Sequence, residues 1–231
     1  MAGPGPLISV TQVRRLFVSP AETVRAVDGV DFEADAGEFV CLFGHSGSGK
    51  TTLLNLLAGL DLPTSGTVTV AGQNLATISV DDRIRLRRQE LGMVHQAHLL
   101  ISEFTAAENV ALPMEANGIP TKTALDEAEK LLASVDLQGH GGRYPSELSG
   151  GQQQRVGIAR ALSGGRRILL ADEPTGSLDS RNAAAIFALL ASLAEAGTLV
   201  VVASHDPKCQ EHATRSIEML DGRVVCSRAV R

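Results

Sequence analysis

Apolar and polar side chains alternate with a period of two over residues 7–13, which reads as an edge strand with one buried face. Residues 27–34 and 38–43 read as two more strands, separated by the turn residues Asp35, Ala36 and Gly37. Residues 50–58 then form a helix, and Pro63 and Gly66 mark residues 60–66 as a loop. Alternation returns over 67–71 and ends in a turn at Gly72. Residues 79–88 read as a helix with Ser79 as its cap and Asp81 and Asp82 in its first turn. Arg85, Arg87 and Arg88 at its far end match the helix dipole and read as a solvated face.

From residue 103 to 165 the periodicity is helical. Thr105-Ala106-Ala107-Glu108 has the form of a capping box before an apolar run, residues 121–135 are amphipathic, and Pro145 and Gly150 break the following stretch. After Gly165, residues 168–171 and 199–203 are short apolar runs of the kind that make parallel strands buried on both faces. Residues 181–196 make a helix between them, and Asp221-Gly222 is a hairpin turn between two final strands. The order predicts one domain over 7–231, with an α/β core of 7–95 and 166–231 interrupted by a helical subdomain of about 96–165. Residues 1–6, rich in Gly and Pro, read as a short disordered leader.

Composition narrows the partners. The 231 residues are 44% hydrophobic and 20% charged, ample for a core, and no run approaches the roughly 18 to 20 apolar residues of a membrane helix. Aromatics are only 3%, with no Trp and a single Tyr, Tyr144, too few to serve as a stacking platform for nucleic-acid bases. The net charge of −5 gives no bulk attraction to DNA or acidic lipid, so a nucleic-acid partner is not expected and membrane association would run through a protein. Cys41, Cys209 and Cys226 follow no metal spacing and fit a reduced, cytoplasmic chain.

Three motifs carry chemistry. Gly44-His45-Ser46-Gly47-Ser48-Gly49-Lys50-Thr51, followed by Thr52, is a P-loop between an expected strand and helix. Its glycines let backbone N–H groups turn toward phosphate oxygens, Lys50 reaches the β and γ phosphates, and the Thr51 hydroxyl suits Mg²⁺. His45 occupies a free position of the pattern and reads as exposed. An apolar strand then ends in Asp172-Glu173, where Asp172 would hold Mg²⁺, directly or through water, and Glu173 would act as general base on the attacking water. The third motif, Leu148-Ser149-Gly150-Gly151-Gln152, opens a helix and makes a second phosphate-binding surface in one chain.

Leu148 to Gln152 is similar, letter for letter, to the signature of ATP-binding cassette (ABC) proteins, and the order of the three motifs resembles that family along nearly the whole chain. The resemblance implies a P-loop NTPase (RecA-like) α/β core with an antiparallel β subdomain and an inserted α-helical subdomain. It implies that two cassettes pack head to tail, so that Ser149, Gly150, Gly151 and Gln152 cap ATP held by another copy or by a paralogous cassette. Gln96 matches the glutamine that contacts Mg²⁺ and water, Asp179 a loop that crosses the dimer interface, and His205 the histidine that touches the γ-phosphate. Phe17 matches an aromatic, usually Tyr, that stacks on adenine, and a half-buried strand-end Phe is its other reading.

Residues 171–179 and 105–113 resemble the branch of macrolide-exporter, lipoprotein-release and cell-division ATPases, which implies an integral membrane permease as partner and a place on the cytoplasmic face of the membrane. His95, Ala97 and His98 depart from the residues that branch commonly carries, in the segment that meets the membrane subunit. A soluble ABC ATPase of iron–sulfur cofactor assembly is the alternative, since it too is a single cassette.

Overall fold

The computed structural model describes residues 5–20, 22–97 and 99–230. Most of the expected leader, residues 1–4, and His98 lie outside them. Strand β1 (Ile8–Val18) pairs antiparallel with both β2 (Thr23–Ala34) and β4 (Ser65–Val70), and β4 in turn with the short β5 (Gln73–Asn74). β1 is therefore an inner strand, not the expected edge strand. Its pattern has another cause: Ile8, Val10 and, past a bulge, Val13 face the core while Thr11 and Arg14 face water, and the pattern reports that division, not the absence of a neighbour.

The second sheet is built on β3 (Phe39–Phe43), β6 (Leu91–His95), β7 (Ile168–Asp172) and β8 (Leu199–Ser204), all parallel, with β9 (Arg215–Leu220) parallel to β3 and β10 (Arg223–Ala229) returning as a hairpin. The apolar runs of β3, β7 and β8 divide by twos between two cores. Phe39, Cys41, Leu169, Ala171, Val200 and Val202 pack toward the helical side. Val40, Leu42, Ile168, Leu170, Val201 and Ala203 pack toward α1 (Lys50–Leu57) and the antiparallel sheet. Each fully buried Val, Leu, Ile or Phe among them contributes roughly 1.5–3 kcal/mol, which is why the runs carry no polar positions.

The chain between β6 and β7 is helical. Helices α3 (Ala106–Glu115), α4 (Thr121–Ser134) and α5 (Gly150–Leu162) pack on one another, and α5 also lies against β6. The capping box of α3 is formed, with Thr105 N donating to Glu108 Oε2 at 2.7 Å. Gly150, the expected break in the helical stretch, is the first residue of α5, and the signature motif opens that helix as expected with Ser149 as a good N-cap. Helix α2 (Val80–Glu90) has the expected Ser79 cap, but its arginines do more than face solvent. Arg87 donates to the Gly59 carbonyl at 2.9 Å and Arg88 to that of Ala116, tying α2 to the end of α1 and to the loop after α3. After β7 come α6 (Ser180–Glu195) and, after β8, a short α7 (Pro207–His212) that periodicity did not reveal. Its signal was local: Asp206 caps it and Pro207 takes its first position.

Candidate active site

The loop after β3 wraps tightly because glycines stand where the backbone comes closest to its neighbours. Gly49 sits at φ 99°, and a Cβ there would strike the Ala26 carbonyl of β2. Gly49 is also the N-cap of α1 and supplies no side-chain cap, which leaves the first N–H groups of that helix facing the loop. That is an anion site by construction. The β9–β10 hairpin closes on it from behind, with Gly222 N donating to Ser48 O at 3.1 Å. Ser48 Oγ is buried and makes no protein hydrogen bond. His45 and Ser46 are exposed on the loop, as is Gly47.

Lys50 is only 6% exposed and turns back into the loop, donating to Gly44 O at 2.7 Å and His45 O at 3.0 Å. Its Nζ is also 3.8 Å from Glu173 Oε1. Thr51 Oγ1 donates to Asp172 Oδ1 at 3.1 Å, so the helix after the P-loop and the end of β7 meet at a hydroxyl and a carboxylate. An all-oxygen pair of this kind suits a hard divalent cation. Burial raises the Asp172 pKa above its ordinary value; the Thr51 hydrogen bond opposes that rise and the neighbouring Glu173 charge adds to it.

Glu173 adopts φ 46°, a left-handed conformation uncommon for a residue with a side chain. Its N–H donates to Ala203 O at 2.9 Å, which fixes the turn and swings the carboxylate out of the sheet into the cleft. There Oε1 lies 2.9 Å from His205 Nδ1, and Ser204 Oγ is 3.5 Å from Oε2. Gln96, just past β6, lays its amide on Gly176; a Cβ at that glycine would come within 2.7 Å of Gln96 Nε2. These groups share one cleft of about 930 Å³, lined among others by Lys50, Thr51, Thr52, Gln96, Glu173 and His205.

Phe17 is 44% exposed at the end of β1, and the Arg15 guanidinium lies 4.6 Å from its ring centre. Its cross-strand partner Val24 lines the cleft; among the described residues that do so, Phe17 is not included. The far wall of the cleft escaped sequence reasoning. Arg25, Asp28 and Arg223 line it, and Arg223 donates to Asp28 Oδ2 at 2.6 and 3.0 Å. The Arg223 hydrogen bond, joined by Arg14, holds the Asp28 carboxyl below its ordinary pKa. The hairpin turn at Asp221-Gly222 was legible, but its landing place beside the P-loop was not.

Residues 149–152 stand elsewhere. Ser149 and Gly150 are exposed at the start of α5, and none of the four is among the described residues that line the cleft. Ser149 Oγ accepts from Gln152 N at 3.3 Å, and Gln152 Oε1 accepts from Ser149 N at 2.9 Å, a complete capping box. The start of α6 is beside them: a Cβ on Gly151 would lie 3.2 Å from Asn182 Oδ1. Asp179 caps that helix, accepting from Arg181 N and Asn182 N at 3.0 and 2.9 Å.

A P-loop at a parallel-sheet edge, facing an Asp-Glu pair from the next strand but one, defines a nucleoside-triphosphatase of the P-loop class. The family described as ABC transporter matches residues 27–176. The macrolide export ATP-binding/permease protein MacB of Escherichia coli (strain K12) is 43% identical over 220 residues, which is 95% of this chain and 34% of that protein. The MacB protein of Shigella boydii serotype 4 (strain Sb227) has the same identity and coverage. The chain thus spans about a third of the length of the curated relatives it matches. Among solved structures, the dimeric post-hydrolysis state of the ATP-binding cassette MJ0796, bound to ADP and Pi, superposes with a TM-score of 0.87 at 36% identity, covering 97% of this chain and 99% of that one. A dimeric structure of the same cassette, described as that of a bacterial ABC transporter, superposes equally well at 37% identity. The chain belongs to the ABC transporter family, as an ATP-binding and ATP-hydrolysing cassette.

Proposed function

We propose that two copies of this chain close head to tail around ATP and that the closure drives a membrane permease of the export, lipoprotein-release or mechanotransmission type. The observation that carries the dimer is the separation within one chain. The cleft holds Lys50, Thr51, Glu173 and His205, while the capped start of α5 at Ser149 is exposed outside it. A second copy can supply Ser149, Gly150, Gly151 and Gln152 to the ATP held by the first, and Asp179 beside them lies on the same interface. The dimeric assembly of MJ0796 supports this reading, and MacB, an export ATP-binding/permease protein, supports the membrane partner.

In the open chain Lys50 is satisfied by two backbone carbonyls. ATP phosphates replace these neutral acceptors with charged ones, a stronger match for an ammonium. The N–H groups of residues 44–52, with the buried Ser48 hydroxyl, complete the phosphate cradle. Phe17 offers adenine the ring face that Arg15 does not cover. Thr51, Asp172 and Gln96 would hold Mg²⁺, which when bound offsets phosphate charge and fixes the γ-phosphate for attack. Glu173 takes the proton of the attacking water as general base, and His205, now 2.9 Å from it, turns to the γ-phosphate on closure.

The Glu173→Gln variant should bind ATP, lose at least about 10²-fold in turnover, and accumulate as an ATP-bound dimer on size-exclusion chromatography. Normal turnover in that variant would remove Glu173 as the base. Purification from membranes tests the second half of the proposal: a multi-span protein should copurify, and recovery only with soluble partners would contradict it.

A further inference from the structure

A histidine that lies outside every motif of the sequence touches Gln152, whose amide pairs with the signature serine. His140 sits in the loop between α4 and the 3₁₀ turn Pro145–Glu147. Its Nδ1 is 3.2 Å from the Gln138 carbonyl oxygen, which can only accept, so the ring proton is on Nδ1. Nε2 is then an acceptor, and it lies 3.3 Å from Gln152 Nε2. The Gln152 amide has its other end committed, because Oε1 accepts from Ser149 N at 2.9 Å. The chain of contacts fixes which way the amide points: NH₂ to His140, oxygen to Ser149. Gln152 N in turn donates to Ser149 Oγ at 3.3 Å.

The loop carrying His140 is itself anchored. His140 N donates to Leu137 O at 3.0 Å, and Arg143 N donates to His140 O at 3.0 Å. Ala106 and Ala107, in the first turn of α3, donate to Arg143 O and Gly141 O at 2.8 and 2.9 Å. The imidazole is thus presented from a loop clamped to the start of a second helix, which lets one acceptor atom set a side chain on α5.

From this geometry we infer that His140 is a positioning residue for Ser149, orienting it toward ATP on the opposite subunit through Gln152. The inference rests on the head-to-tail reading above. Without the Nε2 acceptor, the Gln152 amide can rotate, the capping box loosens, and Ser149 meets the γ-phosphate in more than one orientation. The P-loop of the same chain is untouched.

The experiment uses the Glu173→Gln chain, in which ATP-driven dimerisation can be followed by light scattering, together with binding of a fluorescent ATP analogue at concentrations too dilute for dimers. Adding His140→Ala should weaken the dimer about tenfold, the effect of losing one hydrogen bond at each of two sites, and leave analogue binding unchanged. His140→Gln returns an acceptor at the Nε2 position and should restore the dimer to within about twofold. His140→Asn, too short to offer that acceptor, should behave as the alanine variant does. Unchanged dimerisation in His140→Ala, or no recovery in His140→Gln, would overturn the inference. Ser149→Ala separates it from the reading beneath: a normal dimer there removes the trans role of the signature itself, whereas a crippled dimer there beside a normal His140→Ala dimer removes only His140.

Discussion

Single residues around the cleft are placed at a cost to the fold, and Asp172 shows it most clearly. Its carboxyl titrates above the ordinary 3.8 chiefly because it is partly buried. The folded chain therefore holds that proton more tightly than the unfolded chain. The nucleotide-free fold gains stability as pH falls through the raised value toward 3.8, and at neutral pH the partly buried charge works against folding. Asp172→Asn keeps an oxygen for the Thr51 hydroxyl and removes the charge. It should raise the midpoint of thermal unfolding without nucleotide at pH 7 while ATP turnover falls to background; a lowered midpoint would show that the charge stabilises the fold. The residues of the P-loop and the Asp-Glu pair were legible because contiguous chemistry leaves a contiguous pattern. Asp28 and Arg223, 195 positions apart, left none. The left-handed backbone of Glu173 was equally hidden, since it comes from the hydrogen bond to Ala203 of a neighbouring strand.

At the scale of elements, periodicity identified most strands and helices and misjudged their neighbours. The alternation of β1 described its two faces correctly and said nothing about pairing on both sides. Gly150 marked a boundary correctly: glycine is unfavourable inside a helix, yet at the first position after a serine cap it costs little. Residues 99–105, ahead of α3, have little regular structure and are held by side chains, Arg160 on the Leu99 carbonyl at 2.7 Å and, with more bonds, Asn109. Asn109, fully buried on α3, accepts from Ile101 N at 2.8 Å and donates to the carbonyls of Ile101, Phe104 and Thr105 at 3.0 to 3.1 Å. In the sequence it is one polar letter inside a helical pattern. Asn109→Ala leaves Ile101 N and the Phe104 carbonyl unpaired, while the Ile101 and Thr105 carbonyls keep their backbone donors, and urea unfolding should show a loss of about 2–4 kcal/mol. Hydrogen exchange should rise first over residues 101–105. A loss under about 0.5 kcal/mol would mean that water replaces the amide without penalty.

For the whole molecule, the outline of an α/β core with a helical insertion was readable from the order of patterns. What the pattern alone left unexplained was why one chain carries two glycine-rich helix starts of the kind that suits phosphate. The structure separates them: the cleft of about 930 Å³ is lined by the P-loop and by Glu173 just past β7, and Ser149 is exposed at the start of α5. Among the described residues, no helix is long and apolar enough to cross a membrane. If each chain holds two half-sites, a lone subunit binds ATP but lacks the groups that complete hydrolysis, and activity becomes a property of the pair. ATP turnover per subunit, measured across a dilution series that spans the monomer–dimer transition with mass measured by light scattering, decides this. Turnover per subunit should fall steeply as dimers dissociate, while ATP binding persists. Turnover per subunit that stays constant in samples containing only monomer would contradict the two-half-site arrangement.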